Sequence, residues 1–98
     1  MSRPFRIALE TVVVRRQNHL AGDIDDEIVL LSIEQGEYYQ LAGAGSRIWE
    51  LMASPVKVSA MVDRLCEEFD VAREACEREV LGFLEQMRAD GLIDVADA

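Results

Sequence analysis

The segment from Glu27 to Met52, EIVLLSIEQGEYYQLAGAGSRIWELM, constrains the fold of this chain most, because a strand hairpin there runs into a helix with almost nothing between. Ile28, Leu30 and Ser32 alternate with Val29, Leu31 and Ile33, and Tyr39 and Leu41 repeat at spacing two after a break at Glu34, Gln35 and Gly36. Such alternation on both sides of a polar, glycine-containing break signals a β-hairpin. Gly36 supplies the positive φ that a short loop needs, so the strand register is expected to be fixed there. The second strand, Glu37 to Leu41, is short and aromatic, and it carries neither Lys nor Pro, two of the residues with which sheets blunt an open edge. That edge is covered by the chain's own helix or a dimer mate, or it is left open to receive another strand.

The remaining elements follow from local pattern. Thr11 to Arg15, TVVVR, is a β-branched run that reads as a first strand, and a loop through Asn18, Gly22 and Asp23 is expected before the hairpin. A helix opens at Gly43 to Ser46, carries Ile48, Trp49 and Met52 at helical spacing, and ends at Ser54-Pro55, because the residue before a proline is pushed out of the α region. A second helix begins near Val58, with Val58, Met61, Val62, Leu65 and Phe69 in one stripe and Asp63, Glu67 and Glu68 opposite. A third begins after Asp70 or Ala72 and runs to Asp90, with Gly91 as the C′ residue and Leu92-Ile93 returning to the core.

On this third helix Cys76, Val80, Phe83, Leu84 and Met87 fill one arc of about 100°. Leu81 lies about 60° beyond Leu84, among Arg73, Glu77 and Arg88. The flank reads in two ways. Leu81 is a singly exposed leucine, or it forms a shallow groove wall with Leu84, where Arg73, Glu77 and Arg88 fix the orientation of a ligand.

Composition removes several functional classes. With 98 residues, half of them hydrophobic, the chain is expected to be a single domain over 1–98, with 1–10 as a loosely attached arm. No apolar run approaches the roughly 18 residues of a membrane span, and MSRPFRIALETVVVRR lacks the h-region of a signal peptide, so a cytoplasmic location away from membranes is expected. Residues 1–16 hold four arginines against Glu10, whereas the remaining residues hold six basic and eighteen acidic side chains, a net charge of minus twelve. Such a body repels phosphate backbones, which argues against nucleic acid as a partner.

Cys66 and Cys76 stand ten apart and His19 is the lone histidine, so no clustered zinc pair exists and two reduced, mostly buried thiols are expected. The run Asp23, Asp25, Asp26 and Glu27 lacks the glycine and distal glutamate of a calcium loop. No phosphate-cradling glycine loop or serine elbow is present either. Neither a metal, a cofactor nor enzymatic chemistry is expected.

Strands followed by three helices imply an α+β domain, a three-stranded antiparallel sheet followed by three helices, close to a winged helix-turn-helix. The succession EIVLLSIEQGEYYQLAGAGSRIWELM, VSAMVDRLCEEFDV and CEREVLGFLEQMRADGLI resembles the PqqD-like family of RiPP recognition elements, over about residues 11 to 93. Its most specific points are Tyr39 and Leu41 before the glycine-rich turn, Ile48-Trp49-Glu50-Leu51, and Phe83-Leu84 with Gly91-Leu92. The aromatic pair and the short chain look most like the separate leader-binding protein of lasso-peptide pathways.

The resemblance implies a non-catalytic domain that takes a precursor's leader peptide as a further strand, by β-augmentation. By the same carry-over the edge is Glu37, Tyr38, Tyr39, Gln40 and Leu41, and the facing wall is Arg73, Glu77, Leu81, Leu84 and Arg88. The implied partners are the leader peptide and a cysteine-protease-like leader peptidase or another RiPP-modifying enzyme, in a lasso or a radical-SAM pathway. A homodimer through the strand edge would compete for the same site. Two other readings stay open at this point: an acidic winged-helix transcriptional regulator, and a structural subunit of a larger enzyme.

Overall fold

A computed structural model of the chain describes residues 6–16, 19–24, 27–32 and 36–96. The first five residues of the expected arm, Asn18, the acidic pair Asp25 and Asp26, and Glu34-Gln35 of the hairpin loop lie outside them. Six strands and three helices are found among the described residues: β1 (Val12–Arg15), β2 (His19–Ile24), β3 (Glu27–Ser32), β4 (Tyr38–Leu41), α1 (Ala44–Leu51), β5 (Val56–Lys57), α2 (Val58–Glu68), α3 (Arg73–Ala89) and β6 (Ile93–Ala96).

The fold is α+β, and β2, β3 and β4 form the expected three-stranded antiparallel sheet ahead of three helices. The hairpin register pairs Ile28 with Leu41 and Leu30 with Tyr39, and Gly36 has a φ of 69°. The third strand of this sheet is not the TVVVR run. It is His19–Ile24, where a loop is expected from Gly22 and Asp23; pairing with the strongly β-forming Glu27–Ser32 overrides the weak local propensity of those residues. The TVVVR strand instead lies at the centre of a second small sheet, β5–β1–β6, which ties the start of the described chain to its end. An Arg16–Asp94 ion pair at 2.8 Å closes that pairing on the surface.

Residues 6–10, expected as part of a loosely attached arm, are packed down. Ile7 is buried and its N–H donates to Glu85 Oε2 at 2.7 Å, while the Leu9 carbonyl accepts from Ser59 N–H at 2.9 Å. The core sits between the two sheets and the helices, and its fully buried side chains include Val13, Leu30, Met52, Val58, Met61, Val62, Leu84, Leu92 and Ile93. The apolar stripe of α2 faces it as the periodicity predicts, and Cys76, Val80, Leu84 and Met87 of α3 close it from the other side. Arg47 joins α1 to α2 by donating to both carboxylate oxygens of Glu68, at 2.8 and 2.9 Å, which holds the Glu68 carboxyl below its usual range. Arg15 stacks over the buried Trp49, 5.3 Å from the ring centroid.

Two positions test this account. Leu84 has no exposed surface, so Leu84→Ala removes buried contacts and should cost about 2–5 kcal/mol in a denaturant titration. Gly43 caps α1 with φ 58° and ψ −127°, a conformation that L-residues avoid, and no atom lies within 4 Å of a Cβ built there. Gly43→Ala should therefore lose of order 1–3 kcal/mol by backbone strain with no steric clash, measured the same way.

Candidate functional site

The site is built from the strand-to-helix junction. β4 ends at Leu41 and α1 begins at Ala44, so two residues make the whole connection. The Ser46 hydroxyl donates to the Leu41 carbonyl at 2.8 Å, binding the first turn of α1 to the last residue of the strand. This bond is buried, which makes it worth more than a surface contact of the same length.

β4 is the last strand of its sheet, and among the described residues no strand pairs with its outer edge. Its side chains alternate, with Tyr39 half-buried and Leu41 buried on the inner face and Tyr38 and Gln40 exposed on the outer. α3 runs beside the inner face. Asp90 at its C-terminal end acts on the Tyr39 hydroxyl, and the Phe83 ring lies 3.5 Å from where a Cβ on Gly45 would sit. An apolar recess lies between strand and helix.

That recess has a volume of about 430 Å³. It is lined by Leu41, Gly45 and Ile48 from β4 and α1, by Leu65, Phe69 and Val71 from α2 and the segment after it, and by Cys76, Glu79, Val80 and Phe83 from α3, with Gln40 bordering it. A Cβ on Gly45 would lie in ordinary van der Waals contact with the Phe83 ring, so helix α1 and Phe83 approach closely there. Val71 is nearly half exposed although apolar, at the mouth of the recess.

The expected site residues divide sharply. Just before β4, Glu37 accepts a hydrogen bond from Tyr39 at 3.1 Å; on the strand, Gln40 donates to Glu27 across the sheet, and Gln40 and Leu41 line the recess. Tyr38 is 71% exposed and points to the opposite face of the sheet. Desolvation, the bond to Glu37 and the charges of Asp90 and Glu37 push the Tyr39 phenol above its usual pKa, so it remains a hydrogen-bond donor.

On α3 the structure does not bring the expected wall to this recess. Arg73 donates to Asp63 at 2.7 Å and to Glu77 at 3.0 Å, which fixes both Arg73 and Glu77 at the junction with α2. Leu81 is half-buried against the core and Leu84 is wholly inside it. Arg88 borders a separate polar recess with Arg16, Glu85 and Asp94, beside β6. At about 100° per residue, the recess-facing side of α3 is centred roughly 115° around the axis from the expected flank. Sequence periodicity shows that the apolar face of α3 is too wide for one contact, but not which margin packs on α2 and which faces β4. Phe83, the bulkiest side chain of that face, is the sequence signal that marks the other margin.

Burial pushes the Cys76 thiol up and the neighbouring Cys66 thiol adds to the effect, which makes Cys76 a poor nucleophile. Among the described residues no group of three His, Cys, Asp or Glu side chains could hold a metal, and no helix is long and apolar enough to cross a membrane.

Among solved structures, the chain is similar to TbiB1 in complex with the TbiA(beta) leader peptide, at 32% identity and a TM-score of 0.78, over 87% of this chain and 99% of that one. It shares its fold with a lasso peptide synthetase B1 complexed with the leader peptide, at 22% identity and a TM-score of 0.75, over 84% of this chain and 96% of that one. No curated protein matches it. Residues 27–93, from the hairpin to the end of α3 and the start of β6, match the family of coenzyme PQQ synthesis protein D, and the chain belongs to this PqqD family.

Proposed function

We propose that this protein is a RiPP recognition element that binds the leader peptide of a ribosomally made precursor of the lasso-peptide type. The observation that carries the reading is the open edge of β4 beside an apolar recess roofed by α3. An extended peptide added to that edge satisfies its own backbone on β4, and its alternate side chains drop into the recess. A 32% identical structural neighbour was solved with a leader peptide, which supports the same use here.

The peptide-contacting residues proposed on and just before β4 are Glu37, Tyr39, Gln40 and Leu41, the last two bordering the recess. On α3, Phe83, Val80 and Glu79 replace Arg73, Glu77, Leu81, Leu84 and Arg88 as the facing wall. The protein performs no chemistry itself in this reading. It works in the cytoplasm, where precursors are translated, and hands the bound leader to a cysteine-protease-like leader peptidase or another modifying enzyme, raising the local concentration of the cleavage site. Exposed Tyr38 and its cross-strand neighbour Leu31 supply an apolar surface next to the bound strand for that enzyme to meet. Self-pairing of two copies through β4 would compete with the leader.

Fluorescence anisotropy with a labelled TbiA(beta) leader peptide, and with leaders of short precursors encoded beside this protein, tests the reading. Saturable binding is expected, and absence of binding to every such leader would refute it. Phe83→Ala should weaken binding roughly ten- to a hundredfold, the range of an aromatic hot spot, whereas Arg73→Ala and Arg88→Ala should change it less than about threefold. Tyr38→Ala should keep leader affinity within about threefold but slow processing by the partner enzyme, as expected of an exposed side chain that does not line the recess.

A further inference from the structure

We infer that Glu79 sets the charge specificity of the groove by pairing with a Lys or Arg of the bound leader, with the Glu37 and Asp90 carboxylates receiving a second basic side chain further along. This inference rests on the peptide-binding reading of the groove.

Glu79 is the one ionisable carboxylate among the residues that line the recess, whose other side chains are apolar apart from Gln40 and the Cys76 thiol. Three arginines of the helical body are already committed: Arg47 to Glu68 and Glu50, Arg64 to Glu68, and Arg73 to Asp63 and Glu77. Among the described residues no ion pair engages Glu79, and no Arg or Lys lines the recess with it. A carboxylate left at the lip of an apolar trough interacts with an incoming charge more strongly than one in open water.

Outside the lining of the recess, a second acidic pair stands near Tyr39. The Tyr39 hydroxyl donates to Glu37 and also feels the charge of Asp90. Asp90 caps α3, so it lies about 16 Å along the axis from Glu79 at about 1.5 Å per residue. An extended peptide covers that distance in about five residues. The two acidic positions therefore call for basic side chains about five residues apart, flanking the apolar ones that enter the recess. Charge on this scale changes selectivity more than affinity, and the net negative charge of the body adds a long-range preference of the same sign.

Selecting a random peptide library, displayed on yeast, against the wild-type protein, Glu79→Gln and Glu79→Lys tests this. The wild type should enrich Lys or Arg at two positions about five apart around alternating apolar residues. Glu79→Gln should lose the enrichment at one of them, and Glu79→Lys should replace it there with Asp or Glu. A peptide selected on the wild type should bind Glu79→Lys roughly three- to tenfold more weakly. If all three proteins enrich the same apolar pattern with no basic position, the charge inference is overturned and the groove reading stands. If none enriches any peptide, the groove reading fails and takes the inference with it. Glu79 is exposed, so both variants should keep the circular dichroism of the parent.

Discussion

The groove depends on one buried hydrogen bond, from the Ser46 hydroxyl to the Leu41 carbonyl. It joins the end of an edge strand to the first turn of a helix when only Ala42 and Gly43 stand between them. Without a connection this short, α1 could settle at a range of angles to the sheet. With it, Gly45 is held under Phe83 and Ile48 is turned toward the same recess. Gly43 makes the turn possible because its backbone adopts a conformation closed to residues with a Cβ. The other wall is held from the opposite direction, by the packing of α2 on α3 and the Arg73 bridge to Asp63.

Electrostatics divides the surface by role. Arg47 and Arg73 clamp the helices to one another, and exposed pairs of this type contribute little to stability but orient the elements they join. The groove itself is apolar with acidic groups in and beside it, as Glu79 and the Tyr39–Glu37 pair show. Acidic groups elsewhere on the body make the long-range field unfavourable for a duplex, so the helices that would enter a DNA groove in a winged-helix regulator are turned to other use.

The hairpin, the three helices and the stripe on α2 were legible in the sequence because each is a local pattern: period two around Gly36, period 3.6 around Met61 and Leu65, and a glycine stop at Gly91 with φ 76°. The edge character of β4 was legible for the same reason, since it rests on which residues Glu37–Leu41 lacks. Two features were not. His19–Ile24 has the composition of a loop and becomes a strand only because Glu27–Ser32 offers it a partner, which is information held in another segment. The recess-lining side of α3 lies about a third of a turn from the flank that the sequence suggested, because a wide apolar face has two margins and only the position of α2 decides which is buried. Leu84 and Phe83 are neighbours in sequence, yet one is core and the other lines the recess.

The recess of about 430 Å³ also has a meaning for the domain as a folded object. Its walls are the exposed margins of residues that are otherwise core, such as Leu41, Ile48, Leu65 and Val80. It is therefore a place where the hydrophobic interior is left one element short, and an apolar strand laid into it supplies that element from another molecule. Occupancy and folding are then linked, since any ligand that binds only the native state raises its population by mass action. A domain this small, with little core to spare, is most complete when it is loaded.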